Sequence, residues 1–162
     1  MNEIKNTCQI CARVIKAKTG VIAHHGYTRP GGGWQTASCD GARYLPYEIS
    51  CDRLPPTIEK IKSFIQLKTA ELQEFITNPP KTLTFVNMDA TGTWEERTKN
   101  IYKTVERPEG FNPEVKTPDA YRFQTYEYKY RDMKYQTEKS IKYAQSDLEF
   151  MEERLKNWVA PK

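Results

Sequence analysis

The chain has 162 residues, 38% of them hydrophobic and 28% charged, and a net charge of +4. That apolar share is lean for one compact globule and suits long helices with solvated faces, while the lack of any long apolar run excludes a membrane-spanning helix. Met1 to Thr7 carries no apolar core of a secretory signal. The expected compartment is therefore cytoplasmic, where thiols stay reduced and clustered cysteines favour metal over disulfide.

The first element in chain order is a Cys8-x2-Cys11 knuckle, a tight turn that supplies two soft ligands to one ion. Gly20 to Ala23 reads as a short strand leading to His24 and His25, the chain's two histidines. Adjacent residues rarely reach one ion together, and strand alternation places His25 with Val21 and Ala23, opposite Ile22 and His24. Gly26 permits a bend just after His25, so His25 is favoured as the third ligand, with His24 left at the surface or behind the ligands. Cys39, followed by an Asp40-Gly41 turn, is the expected fourth. Cys51 is the competitor: it would be either a small buried apolar residue or part of an all-thiolate site. Free thiols without metal are a further reading.

The expected metal is Zn²⁺ in a structural role, because four protein ligands leave no open position for water. A deaminase would need Glu two residues after the ligand histidine and a later Pro-Cys-x2-Cys. A metal-dependent nuclease of the ββα type would need a further His or Asn ligand downstream, and the chain has no third histidine.

Between the histidines and Cys39 runs Thr28-Arg-Pro-Gly-Gly-Gly-Trp-Gln-Thr36, whose three glycines do not have the spacing of a phosphate-binding loop. It reads as a hairpin tip with Trp34 packed on the metal module, or as an exposed aromatic and cationic surface. Charge is uneven along the chain, with seven Lys/Arg against four Asp/Glu in residues 1–53 and eighteen against seventeen beyond. The candidate partner-binding residues are Arg13, Lys16, Lys18, Tyr27, Arg29, Trp34 and Arg43, a set able to stack on bases or anchor a protein contact.

Pro55-Pro56 opens a helix expected over 57–77, with Ile58, Ile61, Ile65, Leu72, Phe75 and Ile76 at helical spacing and a stop at Asn78-Pro79-Pro80. A β-hairpin is expected over 82–106, its irregular tip carrying Trp94, and a short helix over 93–103 is the alternative. A long helix is expected over 119–158, started by Asp119, with Phe123, Tyr126, Tyr130, Met133, Ile141, Ala144, Leu148, Met151, Leu155 and Trp158 along one stripe. The fold class is thus α+β: a zinc-ribbon-like module over 1–53, then an antiparallel long-helix hairpin over 54–162 with a small β-hairpin inserted. The first helix is too short to cover the whole stripe. The tyrosines of the long helix then form either a core face with wet hydroxyls or a partner surface, and homo-oligomerisation through this helix is one expectation.

The string Cys8-Gln-Ile-Cys11, Ala23-His-His-Gly-Tyr27-x-Arg29-Pro-Gly31-x-Gly33-Trp-Gln-Thr-Ala-Ser-Cys39-x-Gly41-Ala, then Leu45-Pro-Tyr47-Glu, resembles uncharacterised small proteins of phages, prophages and plasmids. The match is dense over residues 8–54 and thin beyond. It implies the same ligand set, Cys8, Cys11, His25 and Cys39, leaves Cys51 outside it, and implies no named activity. The leading functional expectation is a non-enzymatic binding protein of a mobile element, acting on a protein or nucleic-acid partner such as a host-defence component, with no membrane partner. Sequence-tolerant DNA or RNA binding is the alternative, and a metal-dependent nuclease the third.

Overall fold

A computed structural model describes residues 6–17, 20–29, 37–86, 93, 95, 102–114 and 125–161. Four elements follow an N-terminal segment of turns and isolated bridges: α1 (Leu54–Thr77), β1 (Thr82–Val86), β2 (Tyr102–Glu106) and α2 (Tyr126–Lys156). Among the described residues the named elements are two helices and one two-stranded antiparallel sheet. No described helix is long and apolar enough to cross a membrane. The chain divides into two compact units, one joining Met1–Leu67 to Ile141–Lys162 and the other comprising Lys68–Ser140. The first unit holds the cysteine- and histidine-rich segment together with the start of α1 and the end of α2.

α1 begins at Leu54, three residues before the expected start. Its first turn takes Pro55 and Pro56, whose missing N–H groups would have no intrahelical partner there in any case. The Thr57 hydroxyl donates to the Arg53 carbonyl at 2.7 Å, holding that turn closed. The helix stops where the Asn78 N–H donates to the Glu74 carbonyl, ahead of Pro79-Pro80.

The core of the first unit is unusual in its composition. Its buried apolar members are Ile10, Ile22, Leu54, Ile58 and Met151 together with Cys8, Cys11 and Cys39. Ile61, Leu148 and Leu155 pack against this cluster, so both helical stripes of the sequence reading turn residues towards the cysteines.

In the second unit β1 and β2 pair from Thr82↔Glu106 to Val86↔Tyr102. Strand alternation buries Leu83 and leaves Val86 and Tyr102 exposed. Tyr102 and Lys103 thus lie in a strand, where the alternative reading had a helix. Leu83 packs with Tyr126 and Tyr130 of α2, flanked by Phe75, Val105 and Phe111. Tyr130 is fully buried and stacks on Phe75 with ring centroids 4.5 Å apart, while Phe111 meets Tyr126 and Tyr130 edge-on at 5.0 Å. Buried phenols need acceptors, and these find backbone carbonyls: Tyr126 donates to Pro80 at 2.5 Å and Tyr130 to Phe75 at 3.3 Å. For these two tyrosines the core reading holds.

α2 starts at Tyr126, seven residues after the expected cap Asp119, which lies outside the described residues, as does Trp94. The capping group is Thr125, whose hydroxyl accepts the Tyr128 N–H at 3.3 Å. Arg154 and Lys156 occupy the last turn, where cations suit the exposed carbonyls of a helix end.

Candidate metal centre

Two short hairpins deliver two candidate ligands each. In the first, Thr7 bridges Val14 and the Cys8 N–H donates to the Arg13 carbonyl at 2.9 Å. The chain reverses between them because Ala12 takes a positive φ of 58°, a left-handed turn that carries Cys8 and Cys11 to the same side. In the second, Gly26 bridges Ser38, the Tyr27 N–H donates to Ala37 and the Cys39 N–H donates to the His25 carbonyl at 2.9 Å. His25 and Cys39 thereby become neighbours across a hairpin.

Cys8, Cys11, His25 and Cys39 are all buried, and their donor atoms all lie within 4.8 Å of one another. All four cysteines are free thiols, Cys51 being only partly buried and outside this group. A Zn²⁺ tetrahedron with ordinary bond lengths has S–S edges of about 3.8 Å and S–N edges of about 3.5 Å. The Cys8 and Cys39 sulfurs are 3.7 Å apart, and the Cys11 sulfur is 3.3 Å from His25 Nε2. These two separations are close to the edges of such a tetrahedron. His25 Nδ1 bonds the Ala23 carbonyl at 2.8 Å, which places its proton on Nδ1 and leaves the Nε2 lone pair facing the sulfurs. These four residues could therefore hold a metal ion.

The thiols share protons in a way that favours a single anion, at Cys11. Hydrogen bonds with Cys39 and Cys8 hold the Cys11 thiol far below its ordinary value, and the same contacts push Cys39 up. Cys8 is raised too, first by its bond with Cys11. One thiolate forms readily on its neighbours' protons, and each further ionisation opposes an existing charge. A dication in the cage removes that opposition. Backbone N–H groups of Ile10, Cys11, Arg13 and Gly41 also aim at the sulfurs and favour the ionised form.

Gly41 has a steric reason the sequence reading did not supply. A Cβ built there collides with the Cys8 sulfur and comes within 3.2 Å of Ile10 Cγ1. Asp40-Gly41 does form the expected turn, but the glycine is required by the close approach of the other hairpin's ligand.

One local expectation needs correcting. Strand alternation set Ile22 and His25 on opposite sides, yet both are buried while Ala23 and His24 are exposed. No regular strand forms here: Ile22 bonds Arg43 and Tyr44, whereas His25 and Gly26 turn to pair with Ser38 and Cys39. His24 lies at the surface as expected, its Nε2 2.8 Å from the Ser38 hydroxyl.

The partner-binding set is only partly brought together. Lys16 and Arg43 are exposed, Arg43 with a positive φ of 66°. Arg13 is half-buried and donates to the Thr28 hydroxyl at 2.7 Å. Arg29 forms a two-point pair with Asp147 of α2, at 2.9 and 3.1 Å, and lies 4.5 Å from the Tyr143 ring centroid. The Tyr27 phenol sits beside the same carboxylate, and burial, reinforced by that charge, raises its pKa. Lys18 and Trp34 lie outside the described residues.

Several residues around the site escaped the sequence reading. Gln9 is fully buried behind the knuckle, donating to the Leu45 carbonyl and to Asp52, and accepting the Arg53 N–H at 2.8 Å. Arg154 reaches back from α2 to the carbonyls of Gln9 and Cys8 at 3.1 and 3.3 Å, with its guanidinium 3.9 Å from the Tyr47 ring centroid. Burial lowers its pKa, and the nearby sulfurs and Tyr47 oppose that shift. The available signal was a pair of charges, Asp147 and Arg154, seven residues apart on the stripe that carries Ala144 and Met151. The comparisons with known proteins return no match: no family model, no curated protein and no solved structure is similar to this chain.

Proposed function

We propose that the chain is a non-enzymatic, zinc-stabilised binding protein, in which Cys8, Cys11, His25 and Cys39 hold one structural Zn²⁺. The observation that carries this reading is the cage itself: four buried N/S donors within 4.8 Å of one another, with the Cys8–Cys39 and Cys11–His25 separations close to the edges of a zinc tetrahedron. Three thiolates and an imidazole fill the shell, so the ion organises the chain instead of activating water. In this reading residues 1–53 are a zinc-ribbon-like module, and the two ligand-bearing hairpins support that assignment.

The partner is a protein or a nucleic acid met through the exposed side of the module, where Lys16, Arg43 and Tyr44 stand. Backbone bonds run from Ala23 to Lys16 and between Ile22 and the Arg43-Tyr44 pair, so these side chains flank one segment. The resemblance to small phage, prophage and plasmid proteins supports a mobile-element setting, with a host-defence component as one class of target. Direct DNA or RNA binding is favoured by the exposed cations and weakened by Arg29, whose charge is paired within the chain.

Elemental analysis of protein purified under reducing conditions tests the metal, with one equivalent of zinc expected. Affinity purification of the loaded full chain, followed by identification of co-eluting protein and nucleic acid, tests the partner. Affinity for nucleic acid that falls steeply with salt selects that class of partner, and salt-insensitive capture of one protein selects the other. Cleavage of supplied DNA or RNA with Mg²⁺, lost in His24→Ala, would overturn the non-enzymatic reading.

A further inference from the structure

The metal cage is gripped from outside the N-terminal segment. Arg154, near the end of α2, donates through Nε to the Gln9 carbonyl and through an Nη to the Cys8 carbonyl. Both carbonyls belong to the knuckle that carries Cys8 and Cys11. The guanidinium is fixed in turn by its stacking on Tyr47, whose hydroxyl donates to the Arg154 carbonyl at 2.6 Å. Trp158 completes the clasp by donating from Nε1 to the Tyr47 carbonyl at 2.7 Å. Two helical turns earlier, Asp147 holds Arg29, four residues after the ligand His25.

We infer that Arg154 is a positioning residue of the metal centre, and that metal occupancy and the docking of the C-terminal part of α2 are coupled. This rests on the metal reading above and goes beyond it. A shell of three thiolates around a dication carries one net negative charge, and a guanidinium facing the knuckle from a half-buried position offsets it. The planar fork spans two successive carbonyls, which a point-charge ammonium cannot do, so geometry as well as charge is at stake. Groups that orient metal ligands without touching the ion alter affinity by about 10–100-fold when removed. Coupling is reciprocal: if docked α2 tightens the metal, bound metal must tighten the docking.

The test uses the full-length chain, loaded with Zn²⁺ and titrated against a chromophoric chelator, with Co²⁺ as a spectroscopic probe. Arg154→Met is expected to weaken zinc binding about 10–100-fold while the tetrahedral cobalt–thiolate spectrum keeps its form, because all four ligands remain. Arg154→Lys retains charge without the fork and is expected to fall between wild type and Arg154→Met; it also serves if Arg154→Met does not fold. Lys60→Ala, which removes an exposed pair with Asp40 beside Cys39, is expected to leave affinity unchanged. In wild type, stripping the metal is expected to speed amide exchange over 144–158 as well as over the knuckle. Zinc affinity in Arg154→Met within twofold of wild type, affinity in Arg154→Lys equal to wild type, or exchange over 144–158 indifferent to metal would each overturn the coupling and leave the metal reading intact. A wild-type chain that holds no zinc overturns both.

Discussion

Gly41→Ala is the sharpest probe of the cage because it changes no ligand and no charge. The added methyl would enter the space held by the Cys8 sulfur, with Ile10 Cγ1 3.2 Å away on its other side. Neither neighbour has room to swing clear, since Cys8 is wholly buried and Ile10 is 2% exposed. Overpacking of a buried site by one methyl costs about 1–3 kcal/mol. If the Cys8 sulfur is a metal ligand, as proposed, the cost falls on the metal-bound state, and that range corresponds to about 5–150-fold in affinity. The assay is chelator competition on wild type and variant, with thermal unfolding of loaded and stripped protein. Gly20→Ala is the comparison: its Cβ would meet nothing within 4 Å, while its φ of 84° makes any side chain strained. It should lower stability by roughly 1–2 kcal/mol without moving zinc affinity. Wild-type affinity in Gly41→Ala would show that the two hairpins do not close on one ion as described.

Replacing Cys8 or Cys39 by Ser should remove stoichiometric zinc and unfold the N-terminal module while most of the helical circular dichroism remains, since a structural ion supplies about 10 kcal/mol or more of folding free energy; retained zinc in the Cys39 variant would refute that ligand. Tyr130→Ala in the second unit should cost about 3–5 kcal/mol by denaturant titration, for a fully buried ring stacked on Phe75. Tyr130→Phe should cost far less, because its hydrogen bond is long at 3.3 Å, and a large loss there would contradict the packing argument. Hydrogen bonds from Gln9 and Ser50 hold the Asp52 carboxyl below the ordinary carboxylate value. Its stabilising contribution is therefore complete above that ordinary value and lost as pH falls through the lower folded one. NMR titration of this carboxyl should show a midpoint below that of a free aspartate, and Gln9→Leu should raise it.

The sequence makes the ligands and the element types legible, and the reasons differ. Soft ligands are rare residue types, so the four cysteines and two histidines stand out by identity, though identity alone does not choose His25 over His24 or set Cys51 aside, and the Pro55-Pro56 and Pro79-Pro80 pairs bound α1 by backbone chemistry. A run free of proline and glycine says only where a helix is permitted; the Thr125 hydroxyl marks the described start at Tyr126, and the expected cap Asp119 lies outside the described residues. Alternation failed at Ile22 to His25 because it assumes a continuous ladder, and here successive residues pair with different segments. Arg29 read as a free surface cation because its partner Asp147 is 118 residues away, and no local pattern signals such a pairing.

That long-range pairing bears on what the metal does for the fold. Among the described residues, the first unit buries Ile10, Ile22, Leu54, Ile58 and Met151 almost completely. At about 1.5–3 kcal/mol each they contribute roughly 8–15 kcal/mol, the same size as the about 10–16 kcal/mol typical of a structural zinc ion. Three of the ligands are themselves members of that apolar cluster. Without the ion the unit would keep buried thiols and an imidazole where a core needs close packing. The zinc of the proposed reading is thus no ornament on a preformed core. It lies within the core, so the exposed Lys16, Arg43 and Tyr44 would be held in fixed relation only in the loaded protein. Partner binding should accordingly follow zinc occupancy: a stripped, reduced chain that still captured its partner with full affinity would mean the recognition surface lies in the second unit.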